Sequence, residues 1–158
     1  MRRTDREITD IGEIIGIIES AGVLRLGLFS DEYPYVVPMH FGYEYADGVF
    51  TFYVHCAREG RKLDLIDRDP RVCIELEGGT RLISGGDVPC EWGAEYSCVM
   101  GFGTAVRLTD TGEKIKGLSL LMKHQTGREF EIPPGMTKAV EVIAVRIGSV
   151  SAKARKVQ

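Results

Sequence analysis

A segment near the middle of the chain carries residue types that bind anions. Arg61 and Lys62 directly follow Gly60, at the point where a short run with helical spacing begins. The free N–H groups and the positive dipole end of a helix start favour an anion, and an arginine fork beside a lysine charge adds charge-assisted hydrogen bonds. The pattern predicts a phosphate cradle, although a solvated helix face explains the same two cations. The segment is not a P-loop, because the first glycine of that motif is missing.

An earlier run, 36–43, combines apolar residues with a proline and a glycine. Pro38 and Gly42 do not suit a fully paired central strand, so backbone groups here are available to a ligand. A planar heterocycle such as a flavin needs hydrogen-bonding groups along its edge and apolar packing on its face, which Met39 and Phe41 could supply. An edge strand with ordinary core side chains explains these residues equally well.

Two of the three histidines fall on neighbouring predicted strands. His40 and His55 flank the expected planar-ligand site, so they are candidates for a proton donor, although a lone strand histidine usually has a structural role. His124 lies near the end of a predicted helix, where a cation is favourable. We expect no metal site, because His55 and Cys56 are adjacent on a strand and point to opposite faces.

The elements that must position these residues are short strands and three helices. Asp10 and Asp110 each stand three residues before a glutamate, a capping pattern that predicts a helix after each of them, and 61–67 predicts a third. The stretch 77–93, with two glycine pairs and a proline, is expected to be irregular. The predicted strands span 23–29, 35–45, 49–55, 71–76, 96–108 and 139–147, followed by a basic tail. Their short connections exclude parallel crossovers, so we expect an antiparallel sheet that curls into a barrel.

Composition limits the classes of function. The chain has 158 residues, a length that predicts a single domain over 1–158. Together with the strand pattern, this gives a mainly β domain with flanking helices. Its net charge is −3, so the chain lacks the excess of basic residues that nucleic-acid binding needs. No run of residues is apolar enough to span a membrane. The four cysteines form no CxxC pair, so we expect reduced thiols and a cytoplasmic protein.

Six segments together carry a family resemblance that covers nearly the whole chain. They are 2–8, 37–43, 55–62, 70–72, 96–103 and 126–130. In order and spacing they resemble the nitroimidazole-resistance flavoproteins of the pyridoxamine 5′-phosphate oxidase-like, FMN-binding split-barrel superfamily. The oxidase branch has an arginine at the position of Val37, so oxidation of pyridoxamine phosphate is not expected.

The resemblance implies a six-stranded antiparallel split barrel that forms a homodimer, with FMN, or alternatively FAD, at the subunit interface. In it, Arg61 and Lys62 would hold the phosphate, Ser97 and Cys98 would reach the flavin from near the partner chain, and His55 would lie beside the flavin. The implied cofactor-binding residues are Pro38, Met39, His40, Phe41, Tyr53, Val54, His55, Arg61, Lys62, Ser97 and Cys98.

The function expected on this basis is a flavin-dependent oxidoreductase. It would reduce nitroaromatic or other small aromatic substrates with electrons derived from NAD(P)H, and His55 would be the catalytic proton donor. The alternative is a protein of another class, which binds a flavin or a tetrapyrrole for storage or sensing and performs no turnover.

Overall fold

The computed structural model describes residues 4–155, which form one antiparallel sheet flanked by helices. The helices are α1 (Ile11–Ser20), α2 (Arg61–Arg68) and α3 (Thr111–Thr126). The strands are β1 (Glu7–Ile8), β2 (Leu24–Leu28), β3 (Tyr35–Met39), β4 (Phe41–Ala46), β5 (Val49–Cys56), β6 (Arg71–Ile83), β7 (Gly93–Arg107) and β8 (Glu141–Arg155). The expectation of a mainly β architecture with flanking helices is confirmed.

The two end strands of the sheet are connected through His40. Its strands pair in the order β3, β2, β6, β7, β8, β5, β4, with β1 beside β8. Only His40 separates β3 from β4 along the chain, so the two ends of this order are joined directly. The single strand predicted over 35–45 is therefore two strands, because its halves pair with different partners, β2 and β5. This break and the short β1 give eight strands where six were expected.

The hairpin of β6 and β7 is longer than the sequence predicts. Residues 77–93 were expected to be irregular, but β6 continues to Ile83 and β7 begins at Gly93. The glycine pair at 78–79 produces a register shift between Glu77 and Thr80 instead of ending the strand. Only residues 84–92 are left to connect the two strands.

The last strand also extends beyond its prediction. β8 does not end at 147, because its second half pairs with β7, where Arg155 lies opposite Tyr96, and with the short β1. The residues expected to form a basic tail are therefore largely strand. Residues 1–3 and 156–158, which include Lys156 of that tail, lie outside the described residues.

Both predicted helix caps are present. The Asp10 Oδ1 accepts a hydrogen bond of 2.9 Å from the Glu13 N–H, and Asp110 caps α3 through Glu113 with the same length. Buried isoleucines of α1 and leucines of α2 join the main core inside the barrel. Among residues 4–155, no helix has both the length and the apolar character needed to cross a membrane.

The helix α3 packs closely on the outer face of β4 and β5. Gly42 permits this approach, because a Cβ on it would overlap the backbone of Leu120 and Leu121. The ring of Tyr53 lies under Gly117 and belongs to a second, small core on this face. This packing carries the end of α3 to the break at His40.

Candidate functional site

The two strand histidines are neighbours across β4 and β5. Phe41 pairs with Val54 and Gly42 with Tyr53, and the same register carried back one residue sets His40 beside His55. Both side chains are exposed at least in part. Partial burial lowers the pKa of His55 below its usual value of 6.5, and the positive charges of His40 and Lys62 lower it further. At neutral pH, His55 is therefore mainly the neutral imidazole.

The start of α2 gathers hydrogen-bond donors. Gly60 is the N-cap, and its carbonyl accepts the first bond of the helix from the Leu63 N–H at 2.9 Å. The N–H groups of Arg61 and Lys62 precede that bond and have no acceptor within the helix. The Arg61 Nη2 donates to the Ser30 Oγ at 2.9 Å. This end of α2 thus presents a guanidinium, an ammonium and a hydroxyl beside open backbone donors.

The strand β3 connects these donors with the histidine pair. The Arg61 guanidinium lies over the ring of Tyr35, 5.4 Å from its centroid, at the first residue of β3. His40 directly follows the last residue of β3, roughly 17 Å from Tyr35 at the usual rise of a strand. Within residues 4–155, β3 pairs with β2 alone, so no described strand lies along its other edge. The backbone between the two clusters therefore has a strand partner on one side only among the described residues.

Four of the expected cofactor-binding residues have buried side chains. Met39, Phe41 and Val54 point into the main core, with exposures of 9%, 0% and 0%, and Tyr53 lies under α3. The prediction that the side chains of Met39 and Phe41 pack on a planar ligand is wrong, because strand alternation turns both inward and leaves Pro38 and His40 outward. These four residues can offer a ligand only their backbone groups.

The Tyr53 hydroxyl forms a hydrogen bond with the Glu44 carboxylate, which Lys116 also contacts. It donates to the Glu44 Oε1 at 2.5 Å, and Lys116 donates to the same oxygen at 2.8 Å. Partial burial and the Glu44 carboxylate raise the pKa of Tyr53. The hydroxyl therefore stays protonated and ties β5 to β4 and α3.

Ser97 and Cys98 lie on β7, with β2 and β6 between them and β3. Leu24 of β2 lies opposite both Met39 and Leu76, and Leu76 lies opposite Val99, so Cys98 is roughly 15 Å from the end of β3 at the usual spacing of neighbouring strands. Burial raises the pKa of the Cys98 thiol. Within one chain these residues lie at the same end of the sheet as His40, separated from it by two strands.

An apolar groove of about 1110 Å³ runs along the outer face of the sheet. Its walls include Phe29, Val36 and Phe102, with exposures of 57%, 57% and 55%. Ser30 also lines it, and the Ser30 Oγ accepts the hydrogen bond from Arg61 at the start of α2. Large apolar side chains gathered on one face are typical of an interaction surface.

Two residues that contact the predicted site residues were not themselves predicted as site residues. Ser30 falls in a turn of the sequence, and Gln125 lies in the last turns of α3, where its side chain reaches His40. No motif marks either residue, because only the folded chain brings them to Arg61 and to His40.

Comparison with known proteins identifies the fold family. The family model described as pyridoxamine 5′-phosphate oxidase matches residues 10–154. This chain belongs to the pyridoxamine 5′-phosphate oxidase family. The resemblance deduced from the sequence is therefore confirmed. The comparison with curated proteins gave no match.

Solved structures with the same fold are similar over nearly the whole chain. A candidate 5-nitroimidazole antibiotic resistance protein of Bacteroides thetaiotaomicron is 30% identical, with a TM-score of 0.80 over 94% of this chain and 86% of that one. A flavocytochrome of Azotobacter vinelandii is 17% identical, with a TM-score of 0.78 over 99% and 72%. A FAD and heme binding protein of Mycobacterium smegmatis is 16% identical, with a TM-score of 0.79 over 96% and 74%. The expected split barrel is thus confirmed, with eight strands.

Proposed function

We propose that this chain binds FMN and uses it to reduce nitroaromatic or other small aromatic substrates with electrons from NAD(P)H. The carrying observation is the donor set of Ser30, Arg61 and Lys62 at the start of α2. Membership of the pyridoxamine 5′-phosphate oxidase family and the names of the flavin-binding structural neighbours support a flavin-related function. When bound, the flavin supplies electron and hydride transfer.

The donor set fits a terminal phosphate. A phosphate monoester presents several strong acceptor oxygens and up to two negative charges, which match the Arg61 guanidinium, the Lys62 ammonium and the Ser30 hydroxyl. The open N–H groups at the helix start add to this set. We therefore assign FMN, whose phosphate is terminal. FAD is the alternative, and identification of the cofactor released by denaturing the purified protein distinguishes the two.

The open edge of β3 and the histidine pair would hold the flavin ring. The backbone from Pro38 to His40 lies between the phosphate donors and His55, so it is placed to hydrogen-bond the edge of a planar ligand. In this proposal the Pro38 ring packs against the ligand, while the inward side chains of Met39, Phe41 and Val54 keep the wall rigid from behind.

A second copy of the chain would complete this site. In this proposal Ser97 and Cys98 reach the flavin from near the partner chain, because within one chain β2 and β6 lie between them and β3. The apolar groove on the outer sheet face is the surface that we assign to this homodimer, since it exposes Phe29, Val36 and Phe102 beside Ser30. Covering it removes apolar area from water, which favours association.

We assign His55 as the proton donor. Reduction of a nitro group consumes protons as well as electrons, and an imidazole beside the flavin can deliver them. The lowered pKa of His55 makes its protonated form a stronger acid, while the neutral form predominates at pH 7. A cytoplasmic location belongs to the same proposal, because all four cysteines are free thiols, the state that a reducing compartment maintains.

The proposal is tested by an anaerobic titration of the purified, flavin-loaded protein with NADH and with NADPH. We expect the flavin absorption to bleach with at least one of them and to recover when a nitroaromatic is added. A bound flavin that neither nucleotide reduces would support the alternative, a flavin-binding protein without turnover. A protein that binds no flavin would contradict both.

A further inference from the structure

A polar cluster lies where the last turn of α3 meets the break between β3 and β4. The Gln125 Oε1 lies 2.9 Å from the His40 Nδ1. The Gln125 Nε2 donates to the carbonyl oxygens of Gly22, at 3.1 Å, and of Phe41, at 2.9 Å. The Gly22 carbonyl also lies 3.2 Å from the His40 Nδ1. One side chain of α3 thus links His40 and the first residue of β4 to Gly22, which follows α1.

The orientation of the Gln125 amide follows from these neighbours. The carbonyl oxygens of Gly22 and Phe41 only accept hydrogen bonds, so the NH₂ group must face them and Oε1 must face His40. Turning the amide over would set its oxygen against two other oxygens. The acceptor that meets the His40 ring is therefore defined.

The same contacts define the tautomer of His40. Both groups near its Nδ1, the Gln125 Oε1 and the Gly22 carbonyl, only accept, so Nδ1 must carry the proton. In a neutral imidazole the other nitrogen is then an acceptor. Within residues 4–155, no group forms a hydrogen bond with the His40 Nε2. This nitrogen is available to a ligand.

We infer that Gln125 is a positioning residue, which fixes His40 as the Nδ1–H tautomer so that the His40 Nε2 accepts the ring N–H of the bound flavin. The inference rests on the proposed function, in which the flavin ring lies beside the histidine pair. The oxidised flavin ring has a single N–H group, at N3, and an Nε2–H tautomer would oppose it with a second donor. His40 and His55 thus have different roles: His40 orients the ring and His55 supplies protons.

The first test needs no flavin. A long-range ¹H–¹⁵N spectrum of the full chain, labelled at histidine and recorded where imidazole is neutral, reports which ring nitrogen carries the proton. We expect a protonated Nδ1 for His40, assigned by its loss in His40→Gln. Gln125→Leu should shift His40 toward the Nε2–H form that a free side chain prefers, and Lys123→Met in the same turn should not.

An Nε2–H form of His40 in the unmodified chain overturns the inference, and so does a tautomer that Gln125→Leu leaves unchanged. If Gln125→Leu does not fold, the spectrum of the unmodified chain still decides. The second test compares FMN with its N3-methyl derivative. We expect the methyl group to weaken binding about 3- to 10-fold in the unmodified chain and less in Gln125→Leu. Equal affinities overturn the acceptor role of His40, whereas binding of neither flavin contradicts the proposed function instead.

Discussion

The Arg61 Nη2 lies 2.9 Å from the Ser30 Oγ, so the first residue of α2 is tied to the connection between β2 and β3. This contact joins two segments that lie about thirty positions apart in the sequence. It also sets a cation and a hydroxyl side by side, at the end of the open strand edge that leads to His40. The position of this pair is what makes the start of α2 a candidate phosphate site.

Ser30→Ala should weaken FMN binding about 3- to 10-fold, because it removes one hydroxyl donor and releases the Arg61 side chain. The affinity can be measured from the quenching of flavin fluorescence on titration with the apoprotein. Ser84→Ala, in the connection between β6 and β7, is the matched control and should leave the affinity unchanged. An unaltered affinity in Ser30→Ala would remove this hydroxyl from the site.

The pKa of His55 gives the expected pH dependence. Because burial and the charges of His40 and Lys62 lower this pKa, the protonated form is lost as the pH rises through a value below 6.5. We expect the rate of nitroaromatic reduction to fall already in that acidic range, and His55→Gln to reduce the rate about 10²- to 10⁴-fold while flavin remains bound. A pH–rate profile of both proteins checks this, and a normal rate in His55→Gln contradicts it.

The contribution of Lys62 can be measured separately. In the flavin-free protein, Lys62→Met should raise the pKa of His55, since it removes one of the positive charges that disfavour protonation. Arg68→Met, at the other end of α2, where Arg68 pairs with Asp31, serves as the control. An NMR titration of the His55 ring follows both variants, and a pKa that Lys62→Met leaves in place would separate Lys62 from the histidine pair.

The apolar groove should control assembly. Phe102→Glu places a charge on this face and should convert the proposed homodimer to a monomer, with loss of flavin binding, because the proposed shared site is then incomplete. Met136→Glu alters an equally exposed residue outside the groove and should leave the dimer intact. Light scattering at micromolar concentration measures both, and a monomeric unmodified chain would contradict the shared site.

Two glycines should respond in opposite directions to alanine. A Cβ on Gly42 would overlap the backbone of α3, whereas one on Gly16 in α1 would meet nothing within 4 Å. We expect Gly42→Ala to lower the free energy of unfolding by about 2 kcal/mol or more and Gly16→Ala to raise it by about 0.5–1 kcal/mol. Urea unfolding curves give both values. A tolerated Gly42→Ala would mean that α3 can move away from β4.

Local patterns predicted the elements whose causes are local. The aspartate caps of α1 and α3 are formed by residues three positions apart. The errors concern long-range pairing. The extension of β6 past Glu77 depends on pairing with β7, and that of β8 past Ile147 depends on pairing with β7 and β1. These strands continue through glycines that suggested loops, because strands distant in sequence supply their hydrogen-bond partners.

In the candidate site, too, features with local causes could be predicted and features with long-range causes could not. Arg61 and Lys62 could be found because a helix start beside two cations is visible in the sequence, and the structure places them there. The inward direction of the Met39 and Phe41 side chains could not be predicted from the sequence, since it depends on which face of the strand the barrel buries. Ser30 and Gln125 carry no motif, and only the closure of the barrel brings them to the site.

The affinity for FMN, compared with that for riboflavin, tests the central claim most directly. In the unmodified chain FMN should bind much more tightly than riboflavin, which lacks the phosphate. Arg61→Ala combined with Lys62→Ala should weaken FMN about 100-fold or more, since charge-assisted contacts contribute roughly 1.5–3 kcal/mol each, and should leave riboflavin nearly unaffected. If the double variant binds FMN as tightly as the unmodified chain does, the start of α2 is not the phosphate site and the account is contradicted.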